Sequence, residues 1–222
     1  KWQYLSYPDQ LAYKEYFVSQ ILERIGKFSD LEIRPIIGCE SDRFYRNKLE
    51  FSFAATRWLT EAEIAEGEGI EDRRALGFHV RGRFDRVLDI EYCYLQPDPS
   101  NEIRLAVREF TLGEGYSYYD PVSHEGYLRT LIVRTSLSGE VMVIVVFAED
   151  NEPSRRKLLD FLSERFPQLT SIDYIINRSG NDAIAPHPVH HYAGRGYISE
   201  ICGENTLKIH PKSFYQTNPK QA

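Results

Sequence analysis

Apolar and polar side chains alternate along residues 44–53, and this alternation is the most informative pattern in the chain. The odd positions supply an apolar, largely aromatic set: Tyr45, Leu49, Phe51 and Phe53. The even positions supply a polar and partly basic set: Arg46, Lys48, Glu50 and Ser52. A period of two predicts a strand with one buried face. Its basic face leaves two interpretations open, solvated surface charges or contacts with nucleic-acid phosphates.

Three segments have apolar side chains at three- and four-residue steps, the spacing that predicts an amphipathic helix. The first covers residues 11–25, between a Ser-Tyr-Pro-Asp start and Gly26. The second covers residues 100–112, and the third begins at Pro153. The acidic stretch at 60–74 predicts a short helix followed by a mobile loop around its glycines.

Strands are predicted where β-branched and aromatic residues form short runs. The runs cover residues 31–37, 44–53, 76–80, 84–90, 128–135, 141–147, 170–177, 197–201 and 206–209. Pro35 marks the first run as an edge strand. The 141–147 run is apolar on both faces, which predicts a central strand in a covered sheet. Taken together, the order of elements predicts an α+β fold: a mainly antiparallel sheet with helices packed on one face.

The charge balance limits where nucleic acid can bind. The 222 residues have a formal net charge of −6, whereas a simple basic nucleic-acid module has a pI above about 9. Any such contact is therefore expected on a local patch, to which Arg81, Arg83 and Arg86 also contribute basic character. No run approaches the roughly 20 apolar residues of a membrane span, so no membrane partner is predicted.

The cysteines do not suit a disulfide framework. Cys39, Cys93 and Cys202 lie far apart and are odd in number. A reducing, cytoplasmic setting fits this usage best. From the residues alone, Cys93 is interpreted as a small buried apolar side chain at the end of a strand.

A group of histidines raises the alternative of a zinc hydrolase. His187, His190 and His191 lie close to Asp182 in the chain. Their spacing does not match the helical His-Glu-x-x-His arrangement, and the neighbouring prolines break any helix that would align the imidazoles. A loop rich in His and Pro is the interpretation favoured here.

Five phrases occur in a characteristic order along the chain. They are Tyr-Arg-Asn-Lys at 45–48, Leu-Gly-Phe-His at 76–79, Asp-Ile-Glu-Tyr-Cys at 89–93, Leu-Arg-Thr-Leu-Ile-Val-Arg at 128–134 and Ser-Phe-Tyr-Gln-Thr-Asn at 213–218. In this order and with these gaps, the chain resembles the RNA uracil-5-methyltransferases that modify ribosomal or transfer RNA. The resemblance covers nearly the whole chain and is closest to the iron–sulfur type that acts on 23S ribosomal RNA.

The resemblance implies a piece of a longer enzyme. In that family a small RNA-binding barrel and a cysteine cluster come before a central α+β domain, and a domain that binds S-adenosylmethionine follows it. Residues 1–210 would be the central domain, and residues 211–222 would begin the linker into the catalytic domain. The cysteine that adds to C6 of uracil and the base that removes the C5 proton would both lie in that further domain. This chain alone is therefore expected to be inactive and to bind no cofactor.

The resemblance also implies roles for single residues. Cys93 would be the fourth ligand of a [4Fe-4S] cluster, which four thiolates usually hold. Phe214 would lie beside the flipped target uracil, and Gln216 would contact the methionine part of S-adenosylmethionine. Four basic residues are the candidates for contacts with RNA: Arg46, Lys48, Arg129 and Arg134. The last two differ in parity and cannot both face RNA in a regular strand.

The expected partner is RNA, ribosomal rather than transfer RNA, and no obligate protein partner is inferred. A different class of function stays open beside this one. The chain would then be a stand-alone, non-catalytic α+β module that binds RNA or protein. Methyl transfer by the longer protein would distinguish the two.

Overall fold

The structure is a computed structural model that describes residues 2, 4–66 and 72–222. The chain divides into two compact units, Lys1–Arg43 and Phe44–Lys220. Part of the mobile loop predicted at 60–74 falls on residues 67–71, which lie outside the described residues. The predicted division at residue 210 between a central domain and a linker stays a prediction.

The first unit is built around a helix, as the apolar spacing predicted. Helix α1 spans Tyr7–Gln20 and continues into a π-helical turn, Ile21–Ile25. The Ser6 hydroxyl accepts a hydrogen bond from the Asp9 N–H, and Pro8 lies in the first turn, where no N–H is needed.

The edge strand predicted at residues 31–37 is wrong. This segment has no regular secondary structure. Pro35 has no N–H to donate, and the next N–H, that of Ile36, donates to the Glu15 carboxylate at 3.1 Å. A side chain of α1 thus satisfies backbone that a ladder partner would satisfy in a sheet.

The second unit holds most of the secondary structure. Its strands are β1 Lys48–Ala54, β2 Ala75–His79, β3 Val87–Leu88, β4 Leu128–Thr135, β5 Val141–Phe147, β6 Ser171–Ile176, β7 Val189–Gly194, β8 Ile198–Cys202 and β9 Asn205–Ile209. Its helices are α2 Glu61–Glu66, α3 Ser100–Gly113 and α4 Glu152–Arg165. Within residues 2, 4–66 and 72–222, no helix is long and apolar enough to cross a membrane.

Seven strands form one sheet in the order β3-β2-β1-β4-β5-β6-β7, and β8 pairs with β9 in a separate hairpin. Neighbouring strands are antiparallel except β5 and β6, which are parallel and joined through α4. The predicted α+β fold with a mainly antiparallel sheet is confirmed.

Both faces of the sheet are covered at β5. This strand is apolar on both faces, and all seven of its residues are buried. On one face, α3 and α4 contribute Ile103, Val107 and Leu158 to a core with the alternate residues of β4 and β5. On the other face, the β8–β9 hairpin contributes Ile198 and Ile209 to a second core. The helices therefore pack on one face, as predicted, and the hairpin covers the opposite face.

One strand prediction and one loop prediction need correction. The run at 84–90 gives only the two residues of β3, since Asp85 forms ion pairs with Arg83 and Arg86 in the preceding turn. The residues predicted as a His- and Pro-rich loop include β7, which pairs antiparallel with β6 from Ser171 to Ile175. Backbone pairing with an apolar neighbour outweighs the weak local preference of β7 for a strand.

A glycine allows β2 and β3 to approach each other closely. A Cβ added at Gly77 would lie 2.0 Å from the Leu88 carbonyl oxygen. We expect Gly77→Ala to lower the free energy of unfolding by about 1–3 kcal/mol, because backbone must move to admit the methyl group. Chemical denaturation followed by circular dichroism measures the effect.

The matched control is Gly113→Ala at the end of α3, where a Cβ would meet nothing within 4 Å. This substitution is expected to be neutral or to stabilise by up to about 1 kcal/mol. Equal losses of stability in the two variants would contradict the assignment of a steric role to Gly77.

Candidate functional site

In the segment at residues 213–218, the side chains from residue 213 to residue 217 are alternately half-buried and exposed. Phe214 is 85% exposed and Gln216 is also exposed. Tyr215, between them, packs against the core under the β8–β9 hairpin. An aromatic ring and an amide are therefore held at the surface by a neighbour that is anchored below.

Asn47 attaches this segment to the start of β1. Its backbone N–H donates to the Thr217 carbonyl and its side-chain Nδ2 donates to the Gln216 carbonyl, each at 2.9 Å. Its own carbonyl accepts the N–H of Thr135, at the end of β4, at 2.9 Å. The Asn47 side chain is buried, so these bonds are shielded from water.

Arg134 holds the chain just before this segment, and the expectation that Arg134 contacts RNA is corrected. It is 3% exposed, and its Nη1 donates to the carbonyls of His210 and Pro211, each at 3.0 Å. Burial lowers the pKa of the Arg134 guanidinium, and the Glu50 carboxylate acts in the opposite direction. Its donors are turned to the protein interior and stabilise the chain there.

Arg129 is corrected in the same way. It is 3% exposed, and its guanidinium carbon lies 4.0 Å from the centre of the Tyr119 ring. Its Nη2 also donates to the Asp182 carboxylate at 2.9 Å. Its remaining acceptors are backbone carbonyls of one loop, at 2.5 to 2.9 Å: Asn177, Ser179 and Asn181. A buried guanidinium with this many acceptors organises a loop and is not available to a ligand.

A bulge explains why Arg129 and Arg134 both point away from the helix-covered face of β4, although their positions differ in parity. The register between β4 and β5 shifts between Leu128 and Thr130. Leu128 consequently packs in the same core as Leu131, although their separation is odd. The extra residue places Arg129 opposite that core, as Arg134 is, so the parity argument for a regular strand does not apply.

Arg46 and Lys48 remain at the surface, beside the segment that carries Phe214. The Arg46 N–H donates to the Leu95 carbonyl at 2.9 Å, and the Lys48 ammonium lies 2.6 Å from the Glu50 carboxylate. Both cations line a cleft of about 350 Å³. The complete lining is Arg46, Lys48, Leu49, Glu50, Phe78, Leu95 and Thr217. Basic, acidic and apolar groups thus meet next to residue 216.

Cys93 is 5% exposed and is fixed by a reciprocal pair of hydrogen bonds with Asn101. Its N–H donates to Oδ1 at 2.8 Å, and its carbonyl accepts from Nδ2 at 3.0 Å. Across the part of the chain that the structure describes, no group of three or more His, Cys, Asp or Glu side chains could hold a metal. One thiol does not supply the four thiolates of a [4Fe-4S] cluster, so these residues alone do not fit it, and the role of Cys93 stays a prediction.

The three histidines have separate partners. His190 stacks on Tyr174 with ring centres 4.9 Å apart, and His191 Nδ1 lies 3.0 Å from the Asp173 carboxylate. His187 Nε2 lies 3.4 Å from the Ser179 hydroxyl. Since adjacent residues of a strand point to opposite faces, β7 does not bring its two imidazoles together on one metal.

The β8–β9 hairpin that supports Tyr215 contains a buried carboxylate. Glu200 is 1% exposed and accepts a hydrogen bond from the Leu137 N–H at 3.1 Å. Burial raises the pKa of Glu200, although the N–H groups of Leu137 and Ile201 act in the opposite direction. Neither Glu200 nor Asn47 was predicted as part of the site. The only signal that the sequence offers for Asn47 is its position in the Tyr-Arg-Asn-Lys phrase.

The comparisons with known proteins point to RNA methyltransferases. No family model matches the chain. It is 46% identical over 225 residues to an uncharacterized RNA methyltransferase of Bacteroides thetaiotaomicron, covering 100% of this chain and 50% of the relative. It is 47% identical over 227 residues to one of Porphyromonas gingivalis, covering 100% and 49%. The chain thus spans about half the length of the curated relatives it matches.

A solved structure has a similar fold. The crystal structure of the Pyrococcus abyssi tRNA (uracil-54, C5)-methyltransferase in complex with S-adenosyl-L-homocysteine superposes with a TM-score of 0.71 and 26% identity. The match covers 99% of this chain and 46% of that chain. The mixed fold of a large, mostly antiparallel sheet with helices is therefore shared with a part of a methyltransferase.

The buried carboxyl of Glu200 makes stability depend on pH. Its pKa in the folded state lies above its ordinary value of 4.5, so the folded state binds the proton more tightly than the unfolded state. This contribution to stability is fully present below the ordinary pKa and is lost as pH rises through the folded-state pKa. We expect Glu200→Gln to remove it, so the stability of the wild type relative to the variant falls as pH rises above the ordinary pKa of 4.5 and through the folded-state pKa. Urea denaturation at a series of pH values measures the difference.

Glu140→Gln is a control of opposite sign. Burial acts to raise the pKa of Glu140, but the Ser199 N–H and the Arg195 guanidinium outweigh it, and the net pKa is lowered. The stability that Glu140 contributes is therefore present above the ordinary carboxyl pKa and is lost as pH falls. If both variants changed the pH profile in the same direction, the interpretation of Glu200 would not hold.

Proposed function

We propose that this chain is part of an S-adenosylmethionine-dependent RNA methyltransferase that methylates C5 of a uridine, in 23S ribosomal RNA. The observation that carries the proposal is similarity over the whole chain to RNA methyltransferases and to a tRNA uracil-C5 methyltransferase. A uridine at C5 is the target named for the structural neighbour, and ribosomal RNA is the branch favoured by the sequence phrases. The substrate of the neighbour, a tRNA, is the competing choice.

In this proposal, the chain supplies contacts rather than bond-making groups. Phe214 offers an exposed aromatic face, and a base taken out of its stack needs such a face. Gln216 is exposed two residues later, and its amide can donate and accept hydrogen bonds at the amino-acid end of the cofactor. S-adenosylmethionine, when bound, supplies the methyl group. The exposure of both side chains on a well-anchored segment supports these assignments.

Arg46 and Lys48 are proposed to bind RNA phosphates next to the target base. They border the cleft that Thr217 also lines. Thr217 directly follows Gln216 in the chain, so phosphates bound in this cleft would lie close to the proposed cofactor contact. The net charge of the chain is negative, and a local pair of cations is therefore the kind of contact that this chain can offer. Arg129 and Arg134 are left out of this proposal, since both are buried.

Phe214→Ala and Gln216→Ala test the two contacts in the full-length protein. We expect Phe214→Ala to lower kcat/KM for RNA by roughly 10–100-fold, which corresponds to about 1–3 kcal/mol of stacking per base. Gln216→Ala is expected to raise KM for S-adenosylmethionine more than KM for RNA. Transfer of labelled methyl groups to RNA from a strain that lacks the gene measures both, and mass spectrometry of the digested RNA identifies the product.

The exposed Phe84, 70% accessible and far from this segment in sequence, provides a matched control for removal of a surface ring. Phe84→Ala is expected to retain wild-type kinetics. Labelled 5-methyluridine in ribosomal RNA would support the proposal in full. Label in transfer RNA would mean that the substrate is transfer RNA and not ribosomal RNA. Absence of transfer by the wild-type protein would favour a stand-alone, non-catalytic binding module.

Arg46→Ala and Lys48→Ala test the phosphate contacts through their salt dependence. The logarithm of the RNA affinity is expected to fall less steeply with the logarithm of salt concentration, by about 0.7 for each single-strand phosphate that is no longer neutralised. Affinity measured at several salt concentrations gives the slope. Arg156→Ala is the control, because its 70% exposed side chain lies on α4, on the helix-covered side of the sheet. An unchanged slope for Arg46→Ala and Lys48→Ala would remove both residues from the interface.

A further inference from the structure

We propose that Asn47 is a positioning residue, one that sets where Phe214 and Gln216 stand relative to the target base and the methyl donor. The inference rests on the proposed function for its chemical meaning. Its structural content, that the Asn47 amide fixes the segment, can be measured without any activity. Three observations carry it: the bonds of Asn47, its burial and the alternation of the segment.

Asn47 connects three parts of the chain that are distant in sequence. Its backbone carbonyl accepts from Thr135 at the end of β4, which ties Asn47 to the rigid sheet. Its backbone N–H and its Nδ2 donate to the successive carbonyls of Thr217 and Gln216, each at 2.9 Å. Two bonds to adjacent peptide groups fix the rotation of the segment as well as its position, because each carbonyl direction is set.

The alternation of the segment transmits this restraint to the exposed side chains. In an extended segment, residues two apart project to the same side. The orientation of the Gln216 peptide group therefore also sets the side to which Phe214 projects. Arg134 holds the chain just before the segment, at His210 and Pro211, and Asn47 holds the segment at residues 216–217.

The chemistry of the side chain explains why an asparagine suits this position. An acceptor-only carboxylate at residue 47 would face the Gln216 carbonyl without a hydrogen to share. An alanine would leave that carbonyl without the donor that Nδ2 supplies. Asn47 is 7% exposed, so water replaces the missing bond poorly.

The first experiment is a double-variant cycle in the full-length protein, with methyl transfer to RNA as the measurement. We expect Asn47→Ala to lower kcat/KM roughly tenfold, and Asn47→Asp, which keeps the volume but not the donor, to lower it at least as much. S-adenosylmethionine is kept saturating, so that any loss through Gln216 does not enter kcat/KM for RNA. If Asn47 acts through Phe214, the N47A/F214A double variant is then expected to be within about twofold of F214A alone. If each substitution instead lowers kcat/KM by its own factor and the two factors multiply in the double variant, the proposal is overturned.

Asn177→Ala is the matched control. Asn177 is buried as well, and its Nδ2 donates to a backbone carbonyl, that of Asn181 at 2.8 Å, in a different loop. Any loss of activity that N177A causes through reduced stability is expected to multiply with that of F214A. The same non-additivity for N177A and N47A would mean that the cycle reports general destabilisation, which would also overturn the proposal.

Hydrogen–deuterium exchange of the full-length protein is the second experiment. The peptide that covers residues 44–50, in which the Asn47 N–H donates to the Thr217 carbonyl, is expected to exchange roughly tenfold faster in N47A and N47D than in the wild type, and to be unchanged in N177A. If the wild type transfers no methyl group but this exchange pattern appears, the proposed function fails while the structural role of Asn47 stands. Unchanged exchange in both Asn47 variants would overturn the role itself.

Discussion

The need to cover both faces of β5 determines the arrangement of the second unit. A strand whose seven residues are all buried cannot lie on a sheet with one face in water. Helices α3 and α4 cover one face, and the β8–β9 hairpin covers the other. The hairpin leads directly into residues 210–218, so the packing of the sheet also brings Tyr215 and its two exposed neighbours to the end of the sheet where β1 begins and β4 ends.

Buried arginines connect this second layer to the sheet. Arg129 and Arg134 leave the same face of β4, one toward the loop at 177–182 and the other toward residues 210–211. A guanidinium has five donors and no acceptor, which suits a cluster of carbonyls that are shielded from water. Hydrogen bonds to a charged group contribute about 1.5–3 kcal/mol each, more than those between neutral groups. The two positive charges of β4 thus hold the loop at 177–182 and residues 210–211 against the sheet.

Local pattern was sufficient for much of the fold. Apolar runs and a turn signal predicted the β4–β5 hairpin to the residue, and the spacing of apolar side chains predicted α1, α3 and α4. Strand β7 was missed because its His, Tyr and Gly residues have no apolar alternation, and it exists through pairing with β6. The bulge at Arg129 was also invisible, because a one-residue shift leaves no mark in composition. For the same reason the face to which that arginine points could not be predicted.

The exposed residues of the candidate site could be predicted from the sequence, whereas the residues that anchor them could not. Phe214 and Gln216 came from resemblance to a family, whereas the bond from Asn47 to Gln216 joins residues 169 positions apart and no local signal records it. These anchors matter more in a chain of this charge. With a net charge of −6, the chain does not attract RNA by a broad positive field. Under the proposed function, recognition then depends on placing one ring, one amide and two cations accurately, and accurate placement requires a rigid attachment such as Asn47 and Arg134 provide.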